Sequence, residues 1–231
     1  MRIAFISDVH GNIDALRAVI KDIKNSKIDK VYSLGDYLGY FYHPNACLNA
    51  LKKINCEMIK GNHEDYYIRI KKNQKLLKRY IKKNGNGIRI AIKDINKENY
   101  NLILNLKNNK RVKVGKKNFL LFHGTPKTNK KKIFSNIDKK LLRTYLKPKI
   151  DYYLYGHTHR KTVIDIDGCK FINPGSVGQP RDNSKGASWV IYDANKDKFI
   201  FKNSKYKYQK IKKEISIFDN VQYNNLTNYL N

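Results

Sequence analysis

The sequence predicts one α/β domain, and three observations lead to this fold class. The chain has 231 residues, enough for a single well-buried domain and too few for two full ones. Its first sixty residues alternate short apolar strands with amphipathic helices, whereas its second half consists mainly of paired strands. Five of the predicted strands end in a tight turn that carries His, Asp or Asn. We therefore expect a layered α/β fold with polar side chains gathered at one edge of its strands.

In the first sixty residues, apolar spacing separates helices from strands. Leu16, Val19, Ile20 and Ile23 recur at the i, i+3, i+4 and i+7 positions of one helical face. Pro44 lies near the first turn of a second helix, a position where proline is well tolerated. The predicted elements are a strand at 3–6, a helix at 13–24, a strand at 31–34, a helix at 45–54 and a strand at 56–59.

Two later stretches differ from this pattern. Residues 65–108 are charged, are expected to be mainly helical with a helix at 96–106, and are broken by Gly85-Asn86-Gly87. We interpret them as a helical insertion beside the site that shapes substrate access. Residues 205–231 form a polar C-terminal extension, so residues 1–231 are predicted to be one domain with these two additions.

The second half of the chain is predicted to contain hairpins. Asp167-Gly168 is a favourable two-residue turn between two β-rich segments, and Gly115-Lys116 separates another pair. The predicted elements are strands at 111–114 and 118–122, a Lys-rich loop at 125–136, a helix at 137–146, and strands at 152–155, 161–166, 169–172, 187–192 and 198–201. A loop rich in turn-forming residues lies at 173–182.

The net charge of +29 has two interpretations. A strongly basic protein attracts polyanions such as nucleic acid, nucleotides or acidic membranes. Alternatively, nucleotide bias raises Lys, Asn and Ile together, and only nine of the 48 basic residues are Arg. The lysines are spread along the chain without interleaved aromatic residues, which favours the second interpretation. Nucleic acid is therefore a possible but not a favoured partner, although a positive field still draws anionic substrates.

Other features predict the compartment. No apolar run approaches the roughly 20 residues that span a bilayer, and the N-terminal apolar segment is too short for a signal peptide. Cys47, Cys56 and Cys169 are odd in number and lack a CxxC spacing. This pattern favours reduced thiols in a cytoplasmic protein without a membrane partner. The sequence makes no prediction about the oligomeric state.

The histidines are concentrated in the strand-end motifs. Five of the six histidines lie there, and the sixth, His43, follows shortly after Asp36. The motifs are Asp8-Val9-His10, Gly35-Asp36, Gly61-Asn62-His63-Glu64, His123-Gly124 and Gly156-His157-Thr158-His159. Gly156 is expected to let the backbone turn at little steric cost. The fold is predicted to bring these strand ends together.

The residue types in these motifs predict a metal centre. Four His nitrogens, two Asp carboxylates and one Asn carbonyl form a mixed donor set, which suits two adjacent transition ions better than one tetrahedral zinc. Asp36 could bridge two ions roughly 3.5–4 Å apart. Mn²⁺ is the expected ion, with Fe, Zn, Ni or Mg as alternatives. The other interpretations are that Asp8 and Asp36 cap helices or turns, that Asn62 forms a turn, and that His63 orients a ligand.

In their order along the chain, these five motifs resemble those of the calcineurin-like metallophosphoesterases, in particular the small stand-alone prokaryotic phosphoesterases. The resemblance covers residues 8–159, and the loop at Asn173-Pro174-Gly175-Ser176 extends it. It implies a four-layer α/β/β/α sandwich with a dinuclear site at the strand ends. It also implies roles for the motif residues: Asp8, His10 and His159 at one metal; Asn62, His123 and His157 at the other; and Asp36 between them. His63 is implied not to bind metal but to lie near the leaving-group oxygen, either as a general acid or to stabilise the transition state.

The implied activity is phosphoester hydrolysis by a metal-bound hydroxide, with a nucleotide or small organic phosphodiester as the expected substrate. The protein phosphatases of this superfamily carry an Asp-Arg pair after the bridging Asp, whereas here Asp36 is followed by Tyr37-Leu38-Gly39-Tyr40. The alternatives are a phosphomonoesterase or protein phosphatase, a nuclease for single-stranded nucleic acid, and a non-catalytic scaffold. Candidate substrate contacts are His43, Arg160 and Arg181.

Overall fold

A computed structural model describes residues 1–230, with the side chain of Val221 left out. The strands are β1 (Arg2–Ile6), β2 (Lys30–Ser33), β3 (Glu57–Met58), β4 (Asn109–Val114), β5 (Lys117–Phe122), β6 (Tyr152–Leu154), β7 (Lys161–Ile166), β8 (Cys169–Pro174), β9 (Ala187–Asp193) and β10 (Lys198–Ser204). The helices are α1 (Ile13–Asn25), α2 (Pro44–Lys53), α3 (Asn62–Ile70), α4 (Gln74–Asn84), α5 (Gly87–Asp94), α6 (Lys97–Asn105), α7 (Lys139–Arg143), α8 (Gln209–Phe218) and α9 (Tyr223–Thr227), with a 3₁₀ turn at Asn220–Gln222.

The strands form two five-stranded mixed sheets. The first has the order β10-β9-β1-β2-β3 and the second the order β4-β5-β6-β8-β7. Strands β1, β2 and β3 run parallel to one another, as do β5, β6 and β8. Since the carboxyl ends of parallel strands lie at one edge of a sheet, the five motifs that follow β1, β2, β3, β5 and β6 are brought to the sheet edges.

The two sheets pack face to face through a shared apolar core. Alternate residues of β1 point to opposite faces: Ile3 and Phe5 lie between the sheets, whereas Ala4 and Ile6 face the helices. Across the interface the ring of Phe5 stacks on that of Phe119 in β5, with centroids 5.7 Å apart. Both faces of β1 are therefore buried, which explains its continuous apolar sequence.

Helices cover the outer faces of both sheets. Buried side chains of α1, α2, α5 and α6 pack on the first sheet, where they form one apolar cluster with Trp189 and Ile191 of β9. The second sheet is covered by a thinner layer, in which Ile133, Leu142 and Tyr145 pack on Phe171 and neighbouring residues. The predicted α/β/β/α sandwich is confirmed.

Two predicted elements are shorter in the structure. The helix predicted at 137–146 is the five-residue α7. The Asp138 side chain accepts a hydrogen bond from the Lys140 N–H at 2.8 Å and caps the start of the helix, and after Arg143 the N–H groups of residues 144–146 bond to carbonyls three residues back instead of four. The strand predicted at 56–59 is reduced to β3. Beyond it, the Lys60 N–H bonds to the Lys107 carbonyl at 2.8 Å, so the chain leaves the first sheet.

The C-terminal segment packs against the loop that follows β2, which contains Phe41 and Tyr42. Ile211 and Ile215 of α8 and Leu226 of α9 are buried against Phe41 and Tyr42. The predicted polar extension thus contains two helices with an apolar face, and its final residue, 231, lies outside the described residues. Among residues 1–230, no helix combines the length and apolar character needed to cross a bilayer.

Candidate metal centre

The structure brings the seven predicted metal donors and His63 together at the strand ends. All of these side chains are buried except that of His157, which is partly exposed. Their donor atoms form three compact groups in which all the atoms lie within 4.8 Å of one another. The groups are Asp8 with His10 and His159, Asp36 with His123 and His157, and His10 with Asp36 and His63.

The backbone of this region adopts unusual conformations. Five donor residues have positive φ angles between 52° and 67°, a region that side chains other than glycine seldom occupy: Asp8, His10, Asp36, His157 and His159. Such conformations cost of order 1–3 kcal/mol each and cluster at functional sites, where the surrounding structure holds them in place.

Hydrogen bonds between the loops hold this backbone in place. The Asp8 and His10 N–H groups donate to the carbonyls of Gly35 and Asp36 at 3.0 and 2.9 Å, which links the turn after β1 to the turn after β2. Glu64 of α3 is buried and accepts the N–H groups of Asp36, Tyr37 and Gly61 at 2.8–2.9 Å. The sequence motif included Glu64 without assigning it a role. In the structure, its carboxylate links the loop that carries Asp36 to the start of α3.

Gly156 is required for a different reason from the one predicted. A Cβ atom at this position would lie 2.1 Å from Ser7 Oγ and 2.8 Å from Asp8 Oδ2, and its φ is not in the left-handed region. The glycine therefore permits the close approach of the β6 end to the β1 end. It is His157 and His159, after Gly156, that take the left-handed conformation.

Backbone carbonyls orient three of the imidazole rings. Nδ1 of His10, His123 and His159 donates to the carbonyls of Leu38, Leu34 and Gln179, each at 2.8 Å. These bonds place the lone pair of each neutral ring on Nε2, which faces the cluster. His10 Nε2 and His159 Nε2 are 3.0 Å apart. Two lone pairs at that distance need a proton or a cation between them.

Asp36 has a free oxygen at the middle of the cluster. Its Oδ1 accepts the His63 N–H at 2.9 Å, whereas its buried Oδ2 makes no hydrogen bond. His123 Nε2 lies 3.0 Å from Oδ2, but the geometry is not that of a hydrogen bond. A buried carboxylate oxygen without a partner is costly unless a cation satisfies it. This oxygen and the facing lone pairs fit a metal centre.

The electrostatics of the cluster favour cation binding. Burial alone raises the pKa values of Asp8 and Asp36, but the neighbouring histidines outweigh it and lower both pKa values below the usual range. Burial lowers the pKa of His157 to about 3 and also lowers those of His10 and His159. The cluster therefore presents ionised carboxylates and neutral imidazoles near neutral pH, which are the forms that bind metals.

His123 is the exception among the donors. Burial lowers its pKa, but the adjacent Asp36 carboxylate dominates and raises the pKa to about 9. A proton on His123 must leave before its Nε2 binds a cation, so metal affinity at this position increases with pH.

The ligand sets implied by the resemblance stay predictions, and the donor groups can be compared with them. The first two groups correspond to the two expected metals, and Asn62 Oδ1 lies 3.0 Å from His123 Nε2, beside the second. His63 was expected not to bind metal, yet its ring belongs to the third group, with Nε2 3.8 Å from Asp36 Oδ2. The donor set is consistent with two ions.

A cavity of about 420 Å³ opens beside the cluster, lined in part by Asn62, His63 and His157. Of the three predicted substrate contacts, Arg181 lines this cavity, whereas His43 and Arg160 do not. His43 Nε2 instead pairs with Glu214 of α8 at 2.9 Å. Contacts of His43 and Arg160 with substrate gain no support from this arrangement and stay predictions.

Sequence reasoning found no chemistry in α4, yet one face of this helix lines the cavity. Leu76, Arg79, Tyr80 and Lys83 follow the i, i+3, i+4 and i+7 spacing and all reach the cavity. The spacing could have revealed a common face, but not that this face turns toward the strand ends.

A double-sheet sandwich with buried His and Asp donors at its strand ends defines a metallophosphoesterase-type protein. The sequence model of the calcineurin-like phosphoesterase superfamily domain matches residues 1–197 of the chain. The protein belongs to this superfamily, a family of metal-dependent phosphoesterases, and the resemblance drawn from its motifs is confirmed.

Individual relatives agree with this membership. An uncharacterised protein of Methanocaldococcus jannaschii, MJ0912, is 33% identical over 209 residues, which cover 83% of this chain and 82% of the relative. A phosphodiesterase of the same organism, MJ0936, is 22% identical over 178 residues, covering 76% and 83%. The crystal structure of a metallophosphoesterase from Sphaerobacter thermophilus superposes with a TM-score of 0.73 at 25% identity and covers 94% of both chains.

Proposed function

We propose that this protein hydrolyses a phosphodiester bond of a nucleotide or small organic phosphate at a dinuclear metal centre. The observation that carries the proposal is the pair of donor groups on either side of Asp36, whose Oδ2 lacks a hydrogen-bond partner. The preference for diesters is supported by the similarity to the phosphodiesterase of M. jannaschii. It is also supported by Tyr37 following Asp36, where protein phosphatases carry Asp-Arg.

Each metal has a proposed set of ligands. Asp8, His10 and His159 hold one ion, and Asn62, His123 and His157 hold the other. Asp36 contributes to both. Two bound cations lower the pKa of a water molecule and polarise the phosphoryl oxygens. The contribution of the protein is to fix the donors in advance through backbone carbonyls and strained turns.

His63 is proposed to donate a proton to the leaving oxygen. The Tyr80 hydroxyl lies 2.6 Å from His63 Nδ1 and, within residues 1–230, has no other partner. Burial raises the pKa of Tyr80 well above its ordinary value of 10, so the hydroxyl stays protonated and donates a hydrogen bond to Nδ1. The ring proton then resides on Nε2, the nitrogen nearer the Asp36 carboxylate. An N–H on Nε2 can donate a hydrogen bond to the leaving oxygen and stabilise the charge on it. To donate the proton itself, the ring must first become an imidazolium, because burial lowers the pKa of His63 to about 4 and leaves the ring neutral.

The test compares hydrolysis of bis-p-nitrophenyl phosphate with that of p-nitrophenyl phosphate after chelation and addition of Mn²⁺. We expect Mn²⁺ to restore turnover, and the diester to have the higher kcat/KM. The Asp8→Asn variant, purified in the same way, controls for contaminating phosphatases and is expected to be inactive. A higher kcat/KM for the monoester contradicts the proposal, as does the absence of turnover with either ester.

A further inference from the structure

The cavity beside the metal centre carries an excess of positive charge. Five of its lining side chains are basic, and among the described residues no Asp or Glu lines it. The basic side chains are Arg79, Lys83, Lys130, Lys132 and Arg181, which we call the cationic rim. Within residues 1–230, no ion pair joins any member of the rim to a carboxylate.

Three separate parts of the chain supply this charge. Arg79 and Lys83 lie one turn apart on α4, Lys130 and Lys132 lie in the loop after β5, and Arg181 lies in the loop after β8. Compositional bias accounts for a large number of lysines. It does not account for their convergence from three segments on one concave surface, where like charges repel.

Lys132 lines the same cavity as the other cations and as His63 and His157 of the metal centre. Partial burial of its ammonium group lowers its pKa, and the charges of Arg181 and Lys83 lower it further. The carboxylates of Asp8 and Asp36 act in the opposite direction, so this lysine is close enough to sense both the rim and the metal centre. Cations crowded in this way are stabilised when an anion binds between them.

Arg181 has unused hydrogen-bonding capacity. Its Nη2 donates to Gln179 Oε1 at 2.6 Å and to the Tyr40 hydroxyl at 3.1 Å, which fixes the guanidinium at the cavity wall. Within residues 1–230, its Nη1 makes no hydrogen bond, whereas its Nε is buried and out of reach of a ligand. A positioned guanidinium with a free N–H is well suited to a phosphate oxygen.

We infer that the cationic rim binds a second phosphate group of the substrate, apart from the phosphate that reacts at the metal centre. The substrate is then an organic phosphate with at least two phosphate groups. Tyr66 and Leu76 line the same cavity and offer an apolar surface for the part of the molecule between them. This inference rests on the proposed function, because the reacting phosphate is taken to bind at the metals.

The test measures binding by calorimetry to the Mn²⁺-loaded protein, with adenosine 5′-monophosphate, adenosine 3′,5′-bisphosphate and adenosine 5′-diphosphate as probes. We expect at least one two-phosphate probe to bind ~10-fold or more tightly than the monophosphate, since charge-assisted hydrogen bonds give such gains. Preference for the bisphosphate indicates phosphates separated by a sugar, and preference for the diphosphate indicates adjacent ones. Equal affinity for all three probes overturns the inference.

Substitutions in the cationic rim test whether the rim causes the preference for two-phosphate probes. In the Lys83→Gln, Lys132→Gln double variant, we expect the two-phosphate preference to disappear. Lys78→Gln is the matched control, because Lys78 is an exposed lysine of α4 that does not line the cavity. Thermal unfolding of each variant checks that the fold is intact. A preference that survives in the double variant, or that Lys78→Gln abolishes equally, contradicts the role of the rim.

A second readout separates this inference from the proposed function. Bis-p-nitrophenyl phosphate has a single phosphate, so its hydrolysis by the parent protein reports on the metal centre and does not require a second phosphate site. If the parent protein failed to hydrolyse this diester but kept its two-phosphate preference, the proposed function would fail while the anion site would stand.

Discussion

At the residue scale, the orientation of His63 depends on Tyr80. The hydroxyl reaches Nδ1 from α4, a helix that contributes none of the metal donors. The nearby ring of Tyr66 packs edge-on to His63 with centroids 6.3 Å apart, and its hydroxyl makes no hydrogen bond to His63 within the described residues. Substitution of each tyrosine by Phe therefore separates the effect of the Tyr80 hydrogen bond on His63 from the effect of aromatic packing on His63.

Tyr80→Phe removes the donor to Nδ1 and frees His63 to place its proton on either nitrogen. We expect kcat to fall by ~10-fold or more on aryl phosphodiesters with basic leaving groups, and far less on bis-p-nitrophenyl phosphate, whose leaving group needs no proton. The measurement is the dependence of kcat on leaving-group pKa, with Tyr66→Phe as the control. An equal loss across the series contradicts the positioning role.

The same series tests His63 itself. His63→Ala is expected to lower the rate by ~10²–10⁴-fold with a poor leaving group. The effect should be much smaller with nitrophenolate. A loss of the same size for every leaving group, together with a lower metal content, would assign His63 to metal binding.

At the element scale, the loop after β2 interlocks with α3, α4 and α5 around His63. Gly39 has a φ of +124°, and a Cβ there would lie 2.2 Å from His63 Nδ1 and 3.1 Å from the Tyr80 hydroxyl. Gly87, at the start of α5, packs against the Gly39 carbonyl, which a Cβ would approach to 1.7 Å. The absence of side chains at these two glycines lets three helices meet over His63.

Gly39→Ala is expected to displace His63 and Tyr80 and to destabilise the fold. The matched control is Gly168→Ala in the β7–β8 turn, where φ is +78° and no atom lies within 4 Å of the added Cβ. Each change costs about 1–2 kcal/mol of backbone strain in the free energy of unfolding. Only Gly39→Ala should also lower kcat on an aryl phosphodiester with a basic leaving group. Equal activities in the two variants, measured under folded conditions, contradict the interlock.

Local patterns predicted most elements, because strands and α1 carry their own periodicity. The sequence did not reveal how short α7 and β3 are. The limits of α7 are set by the cap at Asp138 and the tightened turn after Arg143, and β3 ends where Lys60 bonds to Lys107. It did indicate which His and Asp residues lie together at the strand ends, because their residue types and order are distinctive. It could not reveal the contact of Tyr80 with His63, because that contact depends on how α4 packs.

At the scale of the whole molecule, a charge cluster joins the edges of the two sheets. Glu57 of β3 pairs with Lys30 of β2 in its own sheet and with Lys110 of β4 in the other. Burial raises the pKa of Glu57, but the two lysines prevail and lower it below its ordinary value. The two lysines are about 40% exposed, so solvent screens the interaction and its contribution is modest.

Glu57→Gln is expected to lower the free energy of unfolding by about 0.5–1 kcal/mol at pH 7. Because the folded pKa is depressed, this contribution is present above the ordinary pKa of 4.5 and is lost as the pH falls through the folded value. Urea unfolding at several pH values measures the difference. Glu98→Gln, which breaks an exposed pair with Lys52, is the control and should have little effect. If the difference in unfolding free energy between the parent protein and Glu57→Gln does not diminish at acidic pH, the stabilising role assigned to the Glu57 carboxylate is wrong.

The distribution of charge over the folded molecule also could not be predicted from the sequence. Lysines spread along 231 residues give no local signal, and composition alone favoured a bland explanation for the net charge of +29. The fold brings five basic side chains from three segments to one cavity. Distant segments meet only in the folded chain, so neither periodicity nor motif spacing could indicate this surface.

The most direct test of the account is the number of metal ions bound per chain, measured by elemental analysis after chelation and reconstitution with Mn²⁺. We predict two ions for the parent protein and one or none for Asp36→Asn, because we propose that Asp36 contributes to both sites. Asp94→Asn, an exposed carboxylate on α5 outside the donor groups, should still bind two. A parent protein that binds no metal, or an Asp36→Asn variant that still binds two ions, would contradict the shared centre.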